Sequence, residues 1–188
     1  MNKELEVKFL KIDRQKMKKH LQEIGAVMSR GRTLMRRLVF DNPLNPASYI
    51  RIRDEGVKTT FTLKEIDNVE HIDGIKEMEI EIENFEVMKM ILNKMGIKEK
   101  SYQESYRELW IKNEVEITID ERPGLKPFIE IEWPDESSIK AIVALLGFDM
   151  KKGVYGTVSE IYQLELGLTP DYINYLKELT FERPPTLP

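Results

Sequence analysis

The chain has 188 residues, 41% of them hydrophobic and 33% charged, a size and balance suited to one globular domain with a substantial core. It has no cysteine, which excludes a disulfide framework and a thiolate metal site, and with only His20 and His71 as imidazoles any resident metal would be held by oxygen. A net charge of −4 argues against generic nucleic-acid binding, no apolar run reaches the roughly 20 residues of a membrane span, and no signal-like core follows Met1, so the expected compartment is the cytoplasm.

The first element is a strand, KELEVKFL, in which Glu4, Glu6 and Lys8 alternate with Leu5, Val7 and Phe9. A helix follows, with Asp13 as N-cap, Met17, Leu21 and Ile24 at helical spacing and Gly25 as its stop. Strand patterns then occupy 33–41, 49–54, 59–65 and 75–83, separated by turn-forming sequences such as DNPLNPA and DEGVK. The period changes to 3.6 in FEVMKMILNKMG, which Asn84 precedes and Gly96 closes. Three more strands read at 102–112, 114–121 and 127–133, then a helix over 135–146 and two helical stretches at 157–166 and 170–179. Eight mostly antiparallel strands with covering helices predict an α+β fold built on a closed eight-stranded barrel, because closure removes exposed edges. The strands would occupy about 3–134 and the helical segment about 135–182 of a single domain spanning 1–188.

The alternation repeats with charge on one face: Glu4, Glu6 and Lys8; Arg51 and Arg53; Thr62 and Lys64; Glu77, Glu79 and Glu81; Glu130 and Glu132. On any single strand this describes a solvated face above an apolar core. Across the set, carboxylates cluster at both ends of the strand region and arginine and lysine in the middle. Two Glu-x-Glu pairs suit a hard divalent ion such as Mg²⁺ or Mn²⁺, and guanidinium forks suit phosphate oxygens. If the charged faces point inward, they enclose a polyanion with its metal.

The motifs ELEVK, VFD, IRIR, TFTLKE, KEMEIE, YREL, ITIDE and FIEIE occur in an order that resembles the CYTH domain, or triphosphate tunnel metalloenzyme, family across residues 4–155. The resemblance implies an antiparallel tunnel and divalent-metal chemistry on a triphosphate. It places Glu4, Glu6, Glu130 and Glu132 at the metal with Asp120 beside them, and Lys8, Arg51, Arg53, Lys64 and Arg107 along the phosphate path. Glu4, Glu6, Lys8, Glu77 and Glu79 are the candidate catalytic set, with Glu77 or Glu79 orienting basic neighbours or water, or simply pairing with them. Lys151 or Lys152 matches a family lysine that reaches phosphate, Lys152 being preferred. Of the adjacent Arg36 and Arg37 only one can face inward, and Arg37 is favoured. Ser105 stands where relatives carry a phosphate-binding lysine, and Lys126 and Pro127 replace a more usual glycine.

The resemblance supports metal-dependent hydrolysis of inorganic triphosphate or a small organic triphosphate, with class IV adenylyl cyclase chemistry as the alternative and a non-catalytic polyphosphate or nucleotide binder as a third. The expected partner is that small substrate, without nucleic acid or membrane; oligomeric state is left open, a homodimer included. His20, His71, Trp110 and Trp133 are expected to be solvated or packed rather than chemical, and Tyr155, Tyr162, Tyr172 and Tyr175 to pack in the helical tail.

Overall fold

The computed structural model describes residues 2–133 and 135–186, and the side chains of residues 2–4 lie outside that description. The strands are β1 (Asn2–Glu4), β2 (Glu6–Phe9), β3 (Val27–Asp41), β4 (Ser48–Asp54), β5 (Thr59–Ile66), β6 (Ile75–Ile82), β7 (Glu99–Lys112), β8 (Val115–Glu121), β9 (Phe128–Glu132) and β10 (Glu178–Leu179). The helices are α1 (Arg14–Glu23), α2 (Phe85–Lys94), α3 (Glu136–Leu145), α4 (Val158–Leu166) and α5 (Pro170–Tyr175). All eight predicted strand regions are present, the first divided in two, and they join antiparallel in the order β1, β6, β5, β4, β3, β7, β8, β9, β2. No helix is long and apolar enough to cross a membrane among the described residues.

The sheet is a strongly curled half-barrel rather than the closed barrel expected from the sequence. The first strand changes partner at Leu5: β1 pairs with β6 over three residue pairs, β2 with β9 over four, and neither piece pairs with both. At the break the chain makes loop-type bonds, with Glu6 N–H donating to the Ile72 carbonyl at 3.3 Å and Trp133 N–H to the Leu5 carbonyl at 3.2 Å. The sheet is open along this seam because its two terminal ladders share no strand. Other boundaries also moved. β3 begins six residues before the predicted start at position 33, paired with β7 through three register shifts, and α5 stops at Tyr175 so that Glu178–Leu179 can lie parallel to β7.

The apolar residues of the strands point outward, onto helices. Val7, Phe9, Trp110, Ile117, Ile119, Ile129 and Ile131 pack against Met17 and Leu21 of α1 and Ile139, Ile142 and Val143 of α3. On the other side Leu38, Phe40, Ile50 and Ile52 pack against Leu92 of α2. A third cluster, Tyr162, Leu168, Ile173 and Leu179, joins the tail helices to β10. The helix starts follow from local chemistry: Asp13 accepts from Lys16 N–H at 3.0 Å and Asn84 from Val87 N–H at 3.0 Å, filling backbone donors that a first turn leaves unpaired. Gly25 and Gly96 end α1 and α2 at φ of 75° and 83°, a region that side chains disfavour. Trp110 is packed in this outer core, as expected, with its indole N–H donating to Glu108 at 2.9 Å.

With the cores outside, the opposite strand faces must line the interior of the curl. Leu21 is fully buried between α1 and the sheet, so Leu21→Ala should lower unfolding free energy by about 2–5 kcal/mol through lost burial and the remaining void. A denaturant titration showing a loss below about 1 kcal/mol would contradict this packing.

Candidate active site in the charged cavity

The concave side of the sheet encloses a cavity of about 790 Å³, of the size that small ligands occupy. Its charged side chains come from the strand faces that alternate with the outer cores. The answer to which face the charges take is therefore inward for Glu6, Lys8, Arg51, Arg53, Lys64, Glu77, Glu79, Arg107, Glu130 and Glu132, all of which line it.

At one position the carboxylates converge. Antiparallel register sets Glu6 opposite Glu132 and Lys8 opposite Glu130, and with period two all four side chains emerge on the same face. Ligand oxygens of Glu6, Glu130 and Glu132 lie within 4.8 Å of one another, a donor set of the hard, anionic kind that Mg²⁺, Mn²⁺ and Ca²⁺ accept. Glu4 belongs to the expected metal set, but its side chain is outside the described residues. Lys8, only 1% exposed, donates to Glu6 and to the Gly156 carbonyl at 2.8 Å and stands 3.5 Å from Glu130. Burial acts to lower its ammonium, but Glu6 and then Glu130 outweigh burial and hold it raised.

Asp120 lies beside this cluster and is engaged differently from the expectation of a metal carboxylate. Its two oxygens accept a fork from Arg107, Nε at 2.7 Å and Nη2 at 2.5 Å, and the same Nη2 also donates to Glu130 at 2.8 Å. Asp120 thereby fixes an arginine against the acidic cluster. Burial opposes the Arg107 charge, yet Asp120 and Glu130 raise it well above its ordinary value; Glu130 in turn is lowered because Arg107 and Lys8 overcome its own burial.

A second group of cations comes from β4 and β5, each with a carboxylate beside it. Arg51 donates to Thr62 Oγ1 and to Glu79, both at 3.1 Å, and the Thr62 hydroxyl donates to Glu79 at 2.7 Å. Arg53 sits 2.5 Å from Glu55 and 3.8 Å from Glu79, and Lys64 sits 3.1 Å from Glu77. Burial, followed by the like charge of Arg51, lowers Arg53 to about 10. Glu77 and Glu79 are counter-charges to these cations in the structure, the simpler of the two roles read from sequence.

Arg37 faces the cavity and gives Nε and Nη2 to Gln103 Oε1 at 2.9 and 2.6 Å, whereas its neighbour Arg36 pairs at the exposed surface with Asp54 at 2.6 Å. Lys151 and Lys152 sit in an exposed 3-10 turn, Met150–Lys152, and neither lines the cavity; the tail approaches the acidic cluster through the Gly156 backbone instead. Ser105 is buried opposite Met35, so that position supplies no cation. Tyr162 is buried and donates to the Pro123 carbonyl at 2.8 Å, holding α4 against the loop after β8.

Among the lining residues that escaped the sequence reading are Arg30, Glu55, Gln103 and Arg122. Arg122 continues the Thr118, Asp120 alternation one step past the end of β8, and Gln103 continues the Ser105, Arg107 alternation backward along β7. That periodicity was the available signal. Glu55 and Arg30 pair across a loop at 3.0 Å, for which no local pattern exists.

A family description of the CYTH domain matches residues 2–145. The curated protein named "Putative adenylate cyclase MJ0240" from Methanocaldococcus jannaschii is 36% identical over 85 residues, 44% of this chain and 47% of that protein, so the alignment spans about half of its length. A solved structure named as a "putative adenylate cyclase" from Vibrio parahaemolyticus is 15% identical at a TM-score of 0.71, covering 86% of this chain and 98% of the other. Another, from Hippeastrum, is named "Putative adenylyl cyclase HpAC1" and described as having a dominant triphosphatase activity; it is 18% identical at a TM-score of 0.56, covering 89% and 96%. At these identities the two structures establish likeness of fold.

Glu55, 3% exposed, is held below the ordinary carboxylate range: burial pushes it up, and Arg53 and Arg30 more than reverse that. A depressed folded pKa adds stability that is present above the unfolded value of about 4.3 and is lost as pH falls through the folded value. Glu55→Gln should therefore lower stability at pH 7 by about 1–3 kcal/mol and show a shallower further loss below pH about 4 than wild type. Parallel urea titrations across that range check it; parallel pH profiles would refute the pairing.

Proposed function

The chain belongs to the CYTH domain family, and on that footing we propose that it is a divalent-metal-dependent phosphohydrolase acting on inorganic triphosphate or a small organic triphosphate. The observation that carries the reading is that one cavity brings an oxygen-donor trio, Glu6, Glu130 and Glu132, together with the cations Lys8, Arg51, Arg53, Lys64 and Arg107. A site for an anion alone gains nothing from carboxylates that repel its ligand. Carboxylates beside guanidinium and ammonium groups make sense when a cation and a polyanion bind side by side.

Glu6, Glu130 and Glu132 would hold Mg²⁺ or Mn²⁺, with Glu4 as a further candidate. The ion supplies Lewis-acid neutralisation of phosphoryl charge when bound. Lys8, buried, and Arg107, half-buried, are already fixed by carboxylates, and they bind and orient the phosphoryl group nearest the acidic cluster. Arg51, Arg53 and Lys64 bind the remaining phosphates, with Glu77 and Glu79 keeping those side chains extended before substrate arrives. In hydrolysis a water oxygen forms a bond to the terminal phosphorus as the bond to the departing diphosphate oxygen breaks. The arginines stabilise the charge that collects on the diphosphate, and the water's proton passes to phosphate or solvent.

Cyclisation of ATP to cyclic AMP and diphosphate is the second reading, favoured by the cyclase names of the relatives. It uses the same cations but places the ribose hydroxyl at the α-phosphorus. The hydrolase is preferred because it needs only the charged groups described, and the fold relative from Hippeastrum is described with dominant triphosphatase activity. Neither nucleic acid nor membrane forms part of this reading.

Turnover should be measured with Mg²⁺ and with Mn²⁺ against inorganic triphosphate, thiamine triphosphate and ATP, resolving phosphate, diphosphate and cyclic AMP. The expected result is metal-dependent phosphate release, abolished by chelation; cyclic AMP with diphosphate would transfer the assignment to cyclase. Glu6→Ala should remove turnover while the far-ultraviolet dichroism stays native, and full activity in that variant would sink the metal site. Arg53→Ala should raise KM and lower kcat together, by about tenfold or more in kcat/KM, because phosphate is gripped in both ground and transition states.

A further inference from the structure

On the side of the sheet away from the cavity, one stretch of apolar surface is left bare by the protein's own helices. Met78 and Ile80 of β6 alternate with Glu77 and Glu79, which line the cavity, so they lie on the outer face. α2 packs on Leu38, Phe40, Ile50 and Ile52 of β3 and β4, with Phe61 and Leu63 of β5 at the margin of that cluster. Met78 and Ile80 stand one strand further out, opposite Leu63 and Phe61, and remain 50 and 59% exposed. Beyond Glu77, β6 has no strand partner on its free side among the described residues.

α2 turns a second apolar face to water beside this strip. Its inner face is Phe85, Met88 and Leu92, and one flank is polar: Lys89 and Asn93 both reach Glu99 at the start of β7, each at 3.2 Å. Helical spacing puts Val87, Ile91 and Met95 on the opposite flank, away from β7 and therefore toward β5 and β6. With Met90 on the crest, these side chains are 45–68% exposed. Together with Met78 and Ile80 they leave on the order of 600 Å² of mostly apolar surface in water, at the upper end of what a monomer ordinarily shows.

We propose that this face is where a second copy of the chain docks, with the two α2 helices antiparallel across a twofold axis at Met90. Charge selects that occupant. Glu86, Met90 and Lys94 follow one another at four-residue spacing, so the crest is acidic at its start, apolar at its centre and basic at its end. Antiparallel pairing about Met90 sets each Glu86 opposite Lys94 of the second copy, whereas parallel pairing would set Glu86 on Glu86. A surface complementary to itself under a twofold rotation is what an isologous dimer requires. The apolar patch and its charged rim also approach the roughly 800 Å² per partner of a stable interface. Docking here leaves both cavities open and braces β6, whose other face carries the Glu77 and Glu79 that hold Lys64 and Arg51. The interface does not depend on which reaction the cavity performs.

The test is sedimentation of the full chain over about 1–300 μM, a range that brackets the affinities of many stable but reversible dimers. The expected species has twice the chain mass of 22.1 kDa. Met90→Asp should weaken association by about tenfold or more by placing two carboxylates at the axis. Glu86→Lys and Lys94→Glu should each weaken it by about 3–30-fold, and the two together should return it to within about threefold of wild type, because the swap restores both pairs. A wild type that keeps one chain mass at every concentration overturns the proposal and leaves the face for a partner of another sequence. A dimer indifferent to Met90→Asp overturns it as well, and single charge changes that the double variant does not rescue refute the antiparallel pairing. All three positions are exposed, so native far-ultraviolet dichroism is expected throughout; if Met90→Asp loses it, the charge variants, which remove no apolar contact, decide the question.

Discussion

Everything in this structure depends on burying charge on the concave side of a curled sheet. A strand that alternates Glu, Lys or Arg with Val, Ile or Leu is ordinarily a surface strand, its apolar side on a core and its charge in water. Here the apolar side still has its core, but the core lies between the sheet and the outer helices, as Ile129 and Ile131 against Ile139 and Val143 illustrate. Curling then brings the charged sides of several strands to face each other, where no charge can be left without a partner unless something else compensates it. The pairing of Lys8 with Glu6, Arg107 with Asp120, Arg51 with Glu79 and Lys64 with Glu77 is the consequence.

These pairs connect fold to chemistry. A guanidinium locked by a carboxylate fork has already lost its rotational freedom, so a phosphate arriving at Arg107 meets a fixed donor rather than one that must be ordered on binding. The same carboxylates limit affinity by competing for the donors. A site organised this way favours charge that develops or shifts during a reaction over charge that is merely held. Arg37 and Arg122 differ: a neutral amide holds the first, and Nε and Nη1 of the second have no hydrogen-bond partner among the described residues.

Much of this was legible in the sequence because the side-chain period of a strand is two. Arg51, Arg53, Lys64, Glu130 and Glu132 point where the alternation puts them, and the choice of Arg37 over Arg36 follows from the same rule. What alternation cannot show is the partner. The resemblance sets Asp120 beside the metal carboxylates, and the pairing of Arg107 with Asp120 across β7 and β8 places it under an arginine. Alternation could not show that Leu5 is where the first strand changes neighbours, since a strand with one partner and a strand with two read alike. The strand pattern ends at Glu121, one residue before Arg122, which takes the next inward position. Resemblance alone points to Lys152, and the local fold of the tail there is an exposed turn.

The break at Leu5 has a further structural meaning. Glu6 and Lys8 stand on the β9 side of it, in register with Glu132 and Glu130, and the other half of the segment is committed to β6. The acidic cluster therefore draws its ligands from two adjacent strands whose spacing is fixed by four residue pairs, not from across the open seam. Lys8 adds a second restraint by reaching the Gly156 carbonyl, while its own N–H and carbonyl bond Val154 at 2.9 Å in both directions. A short strand at the end of a sheet would ordinarily fray. This one is anchored on one side by β9 and on the other by the backbone of the tail, so the residues that most need fixed positions lie on the best-held part of an otherwise open edge.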